Sequence, residues 1–102
     1  MSIKKQFLKT RPVCKVAFRL SKEESKDAKQ IFLVGDFNGW DEKNLPMKSL
    51  KNGSFVANLD LETGREYQFR YCFDHIAWAN DPEADNYIHS SFGGCDNSVI
   101  SL

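Results

Sequence analysis

An all-β fold, an antiparallel sandwich of immunoglobulin-like type, follows from three observations on this chain. Apolar and polar residues alternate with a period of two in several stretches. Gly, Asn, Asp and Pro cluster between those stretches, where turns need them. No segment carries the apolar period of a convincing helix, and short strands parted by turns pack as two sheets.

The elements follow in order. Residues 1–11 are basic and read as a flexible arm, leaving residues 12–102 as a single domain. In residues 13–20, Cys14, Val16, Phe18 and Leu20 fall on one face, with Lys15 and Arg19 on the other. Residues 21–29 are charged and form a solvated loop. The run Ile31-Phe32-Leu33-Val34 reads as a strand buried on both faces. Residues 41–46 connect it to a short strand over 47–50. Asn52-Gly53 is a hairpin signal; with Ser54 it also spells a glycosylation sequon, for which the hairpin is the better account.

Residues 54–61 alternate again, with Phe55, Ala57, Leu59 and Leu61 together. Residues 66–74 give the clearest strand: Tyr67, Phe69, Tyr71 and Phe73 face one way, Gln68, Arg70, Cys72 and Asp74 the other. The aromatic row belongs to the core, packed on Phe55, Leu59 and Phe18. Asn80-Asp81-Pro82 stops regular structure, and residues 98–102 make a last strand.

The chain has 102 residues, 41% of them hydrophobic and 13% aromatic, enough for one core without staples. Fourteen basic residues balance fourteen acidic ones, so there is no electrostatic footprint for nucleic acid or an anionic membrane. Three cysteines, an odd number, argue against a disulfide framework. The opening residues lack the apolar centre of a signal peptide, and no apolar run approaches the roughly 20 residues of a membrane span. The expectation is a cytoplasmic protein.

One segment stands out. Val34-Gly35-Asp36-Phe37-Asn38-Gly39-Trp40 reads as a strand end, a tight turn in which Gly35 and Asn38-Gly39 supply backbone freedom, and a tryptophan at its edge. That Trp either folds back to cap the sandwich or offers a flat apolar plate to a ligand.

These residues carry a resemblance. The stretch from Leu33 to Trp40 resembles the GxFNxW segment of carbohydrate-binding module family 48. That family includes the isoamylase N-terminal early set domain and the glycogen-binding domain of the AMP-activated protein kinase β subunit. The likeness continues through Pro46-Met47, Gly53-Ser54-Phe55, Tyr67-Gln68-Phe69-Arg70-Tyr71, Phe73-Asp74, Trp78, Asp81-Pro82 and Asn97-Ser98-Val99-Ile100. It implies a seven- or eight-stranded sandwich that binds α-1,4-glucans such as glycogen, starch chains or maltooligosaccharides. It also implies that Trp40 and Trp78 stack on sugar rings, that Arg70 and Asn97 bond hydroxyls, and that Phe92 before Gly93 reaches around the glucan. Two departures stand in the pattern: the usual Asp-Gly turn is the longer Asp74-His75-Ile76-Ala77, and Gly94 replaces a hydroxyl-bearing residue.

The chemistry of glucose suits these side chains. A sugar ring has an apolar C–H face and a hydroxyl rim, and needs plates for one and directional hydrogen bonds for the other. Arg70 lies outward by strand phase, which also fits an ordinary surface cation. Catalysis fares poorly. Nothing in the sequence positions His75 against the Cys72 thiol, and Glu42, Asp81, Glu83 and Asp85 are expected in loops as solvated carboxylates. No cofactor is implied, and Cys14, Cys72 and Cys95 lack metal-ligand spacing, which His75 and His89 do not repair. The expected partner is an α-glucan, with a separate glycan enzyme or kinase chain as a further one. The alternative is a protein-interaction adaptor on the same fold that has lost sugar binding, or an accessory domain of a separate glycosidase.

Overall fold

The computed structural model describes residues 1–89 and 96–102. Among the described residues, nine strands build two antiparallel sheets. They are β1 (Ser2–Phe7), β2 (Val13–Leu20), β3 (Ile31–Gly35), β4 (Lys48–Ser49), β5 (Phe55–Glu62), β6 (Glu66–Phe73), β7 (Ala77–Ala79), β8 (Asn86–His89) and β9 (Asp96–Ser101). One sheet has the order β1-β2-β5-β4. The other runs β3-β6-β9-β8, with β7 also paired to β6.

The core forms between them as the alternation requires. Cys14, Val16, Phe18 and Leu20 of β2 meet Tyr67, Phe69, Tyr71 and Phe73 of β6. The Phe18 and Phe69 rings lie edge to face at 5.3 Å, and Phe69 meets Tyr71 likewise at 5.8 Å. Phe55 and Leu61 are buried and Leu59 is partly so. The Asn52-Gly53 hairpin closes as expected, with Gly53 at φ 88° in the left-handed region.

Three differences from the sequence expectation have physical reasons. Residues 2–7 are a strand, not a loose arm, and pair with β2 from Ser2↔Arg19 to Phe7↔Cys14. This edge strand carries Lys4, Lys5 and Gln6, charged and polar positions of the kind that guard an open edge, so its alternation is weak. Strands β7 and β8 are short and exposed, and therefore invisible to an apolar period.

Asp81, expected in solvent, is fully buried. It accepts a hydrogen bond from the Tyr71 hydroxyl at 2.8 Å and from the Glu83 N–H at 2.8 Å, and its own N–H donates to Ser98 Oγ. This polar knot pins the 80s loop onto β6 and β9. Burial, then the Asp81 carboxylate, pushes the Tyr71 phenol far above its ordinary range. Among the described residues, no helix is long and apolar enough to cross a membrane.

Candidate functional site

The outer face of the second sheet is built around β6. Strand β3 lies along one side of β6 and pairs Phe32↔Cys72 and Val34↔Arg70. The other side is shared: β9 pairs with residues 66–69 and β7 with residues 71–73. Partners in register point to the same face of an antiparallel sheet. Phe32, Cys72 and Trp78 therefore form one row across three strands, and Val34 and Arg70 begin the next.

Phe32, Val34 and Cys72 are buried and form an apolar cluster separate from the main core. Trp40, half-buried, packs on it. The turn that delivers Trp40 splits its two aromatics between faces. Phe37 goes inward against Phe18, Tyr67 and Phe69, with centroids at 6.1 to 6.3 Å. The Asn38 side chain laces the turn: its Oδ1 accepts the Gly35 N–H at 3.0 Å, and its amide donates to the carbonyls of Leu33 and Asp41. Gly39 and Trp40 both adopt left-handed backbone, at φ 65° and 60°. For a bulky side chain that conformation is uncommon, and it swings the indole back over the sheet.

Gly35 does a different job from the one its turn position suggests. Its backbone is extended, so conformational freedom is not the reason for a glycine. A Cβ there would stand 2.4 Å from the Gln68 carbonyl oxygen and 2.7 Å from Phe69 Cβ. Close approach of β3 to β6 requires the bare backbone.

Trp78 is 43% exposed and lies in register opposite Cys72. Arg70 is half-buried and donates from Nε to Asn97 Oδ1, while the Asn97 amide donates to Gln68 Oε1 at 3.0 Å. Asn97 itself is buried, so its carboxamide acts as the clasp between the two β6 side chains. Trp40, Trp78, Arg70 and Asn97 thus share one face. Phe92, the remaining candidate, lies outside the described residues.

The sequence profile of carbohydrate-binding module 48, the isoamylase N-terminal domain, matches residues 18–87. The chain belongs to carbohydrate-binding module family 48. The matched span takes in Trp40, Arg70 and Trp78 and stops short of Asn97. Among curated proteins, the chain is similar to the 5'-AMP-activated protein kinase subunit beta-2 of Mus musculus and of Homo sapiens. Each is 35% identical over 75 residues, which is 74% of this chain and 26% of the relative. The chain therefore spans about a quarter of the length of the curated relatives it matches.

Within this family-48 chain, the altered turn is accommodated without a glycine. Asp74 and His75 themselves take left-handed φ, 51° and 58°. The Asp74 carboxylate accepts the N–H groups of Lys29 and Gln30, at 3.0 and 2.8 Å, which holds the turn against the preceding loop. Phe73↔Ala77 closes the hairpin, and β7 keeps its register.

Sequence reasoning missed several contributors to this face. Asp36 accepts the Trp40 indole N–H on one oxygen and the Gln68 backbone N–H on the other, both at 2.8 Å. Exposed Ile88 pairs with Asn97 in register, which extends the face onto β8. Glu42 Oε1 lies 3.8 Å from Cys72 Sγ, a contact that no spacing along the chain announces. Burial, then the nearby Glu42 carboxylate, pushes the Cys72 thiol above its ordinary range.

Proposed function

We propose that this chain is a non-catalytic module that binds α-1,4-linked glucan on the outer face of the β3-β6-β9-β8 sheet. Trp40 and Trp78 stack on the apolar faces of sugar rings, and Arg70 bonds hydroxyls with its guanidinium nitrogens. Asn97 and Gln68 hold that guanidinium in place, and Phe92 reaches around the glucan, as the family resemblance implies.

One observation carries this reading. A half-buried Trp sits on its own apolar floor outside the main core, and an exposed Trp lies on the same sheet face, with a clasped Arg on the strand between. Such a face offers plates and directed donors together, which is what a ring with an apolar face and a polar rim requires.

Affinity is modest. Covering ~100 Å² of each plate yields ~2.5 kcal/mol at ~25 cal/mol per Å². Two plates and a few hydrogen bonds must offset at least ~4 kcal/mol of association cost. Dissociation constants from roughly 10 μM to 1 mM follow. Binding this weak works by avidity, beside a partner chain. The relatives' designation as kinase subunits supports a kinase as that partner. The buried free thiols of Cys14 and Cys72 support a reducing, cytoplasmic setting.

The test is a titration with maltoheptaose or β-cyclodextrin, followed by tryptophan fluorescence and amide NMR shifts. Saturable changes centred on Trp40, Trp78 and Arg70 are expected, and Trp40→Ala abolishes them while the amide spectrum stays folded. No change at millimolar sugar rules the reading out.

A further inference from the structure

Three side chains from two chain segments converge beside the Trp40 floor. Glu42 follows Trp40 by two residues, Cys72 lies in the middle of the sheet face, and His75 forms the β6–β7 turn. Their nearest donor atoms all lie within 4.8 Å of one another, and Glu42 Oε1 stands 3.8 Å from the sulfur. They are the one such convergence of His, Cys, Asp and Glu donors among the described residues.

The donor set is chemically selective. A thiolate with an imidazole and a carboxylate suits a borderline-soft divalent ion and is poor for Mg²⁺ or Ca²⁺. Zn²⁺ bonds of ~2.0 Å to N and O and ~2.3 Å to S set tetrahedral donors about 3.5 Å apart. The present spacing, up to 4.8 Å, must therefore close by at most about 1.3 Å. The anchor is the fixed member: Cys72 is buried in a paired strand, whereas Glu42 and His75 are exposed and free to adjust. The His75 ring lies tilted on Phe32 at 4.6 Å, which already holds the imidazole over the sheet face and not out in solvent.

We infer that Glu42, Cys72 and His75 form a Zn²⁺ site, with the fourth position open to water. An ion there fastens the segment after Trp40 to the hairpin that carries Trp78, and its binding needs no sugar. The bland account is a buried thiol donating to a nearby carboxylate, beside a histidine stacked on a phenylalanine. The two differ in what a metal titration shows.

Co²⁺ serves as a spectroscopic stand-in for Zn²⁺ on the full chain under reducing, chelator-free conditions. The expected result is one equivalent bound, with a thiolate-to-cobalt charge-transfer band in the near ultraviolet that Zn²⁺ bleaches. Cys72→Ser removes the band. Because that position is buried, the exposed variants Glu42→Gln and His75→Gln provide a second arm. Each weakens Zn²⁺ binding at least tenfold by calorimetry while leaving the apo unfolding midpoint nearly unchanged. Absence of the band in the wild-type chain overturns the proposal. So does a band that survives Cys72→Ser, or Zn²⁺ affinity indifferent to both exposed variants.

Discussion

The indole N–H of Trp40 donates to Asp36 Oδ1 at 2.8 Å, and the other oxygen of the same carboxylate accepts the backbone N–H of Gln68 at 2.8 Å. A single side chain thus ties the tryptophan to the central strand of the candidate site. The ring plane is held by this bond from one side and by Phe32, Val34 and Cys72 from below. A plate fixed before its ligand arrives loses less freedom on binding.

Asp36→Ala should therefore weaken glucan binding by several-fold while the domain stays folded. The stability loss is expected near ~1 kcal/mol, since the carboxylate is exposed and water replaces part of what it provides. Sugar titrations and urea unfolding on the same variant separate the two effects. Unchanged affinity would mean that the floor alone orients the ring.

Gly35→Ala probes the approach of β3 to β6. The added methyl would meet the Gln68 carbonyl at 2.4 Å, a backbone atom that cannot step aside as a side chain does. A loss of roughly 3 kcal/mol is expected, at the upper end for overpacking. Denaturant unfolding measures it. A loss under ~0.5 kcal/mol would mean that the strands part at little cost.

Most of the fold was legible because the core strands alternate cleanly. Residues 13–20 and 66–73 announce their buried faces, and both faces sit where the period puts them. What escaped was structure stabilised by long-range polar contacts. Strand β1 is held by pairing to β2, by the Lys5 ammonium and by Ile3, its one residue packed against the core, which is too little to make an apolar period. Asp81 reads as a loop carboxylate until the fold brings Tyr71 and Ser98 around it. At the site, the strand phase of Arg70 was readable from alternation, and Trp40 and Trp78 from the resemblance. Asp36 and Glu42 were not, because their roles depend on residues 32 and 30 positions away.

Tyr71→Phe tests the buried knot. Among the described residues, the hydroxyl is the one side-chain donor to the Asp81 carboxylate, and both groups are buried. Removing it strips a partner from a buried carboxylate, for an expected loss of about 1–3 kcal/mol. Asp81→Asn should lose less, because the amide still accepts at its oxygen. Thermal or denaturant unfolding ranks the two, and the reverse order would mean that the charge itself is what the pocket requires.

The tie between the sheets gives a pH dependence. Lys5 of β1 donates to Asp85 Oδ2 at 2.7 Å and to the Ser101 carbonyl at 3.1 Å, and the Ser101 N–H donates to the same carboxylate oxygen at 2.8 Å. Partial burial of Asp85 opposes ionisation, but the Lys5 ammonium and the Ser101 N–H outweigh it and hold the carboxyl below its ordinary 3.8. A lowered folded value means that the folded state binds its proton less readily than the unfolded chain. The contribution is thus fully present above the ordinary value and lost as pH falls through the folded one. With both groups partly exposed, solvent screening keeps it under ~1 kcal/mol. Asp85→Asn should therefore be slightly less stable than wild type at neutral pH, with the gap closing as pH drops below about 4. Denaturant midpoints for both proteins across that range check the sign, and a gap that widens in acid would show that the carboxylate is better held protonated.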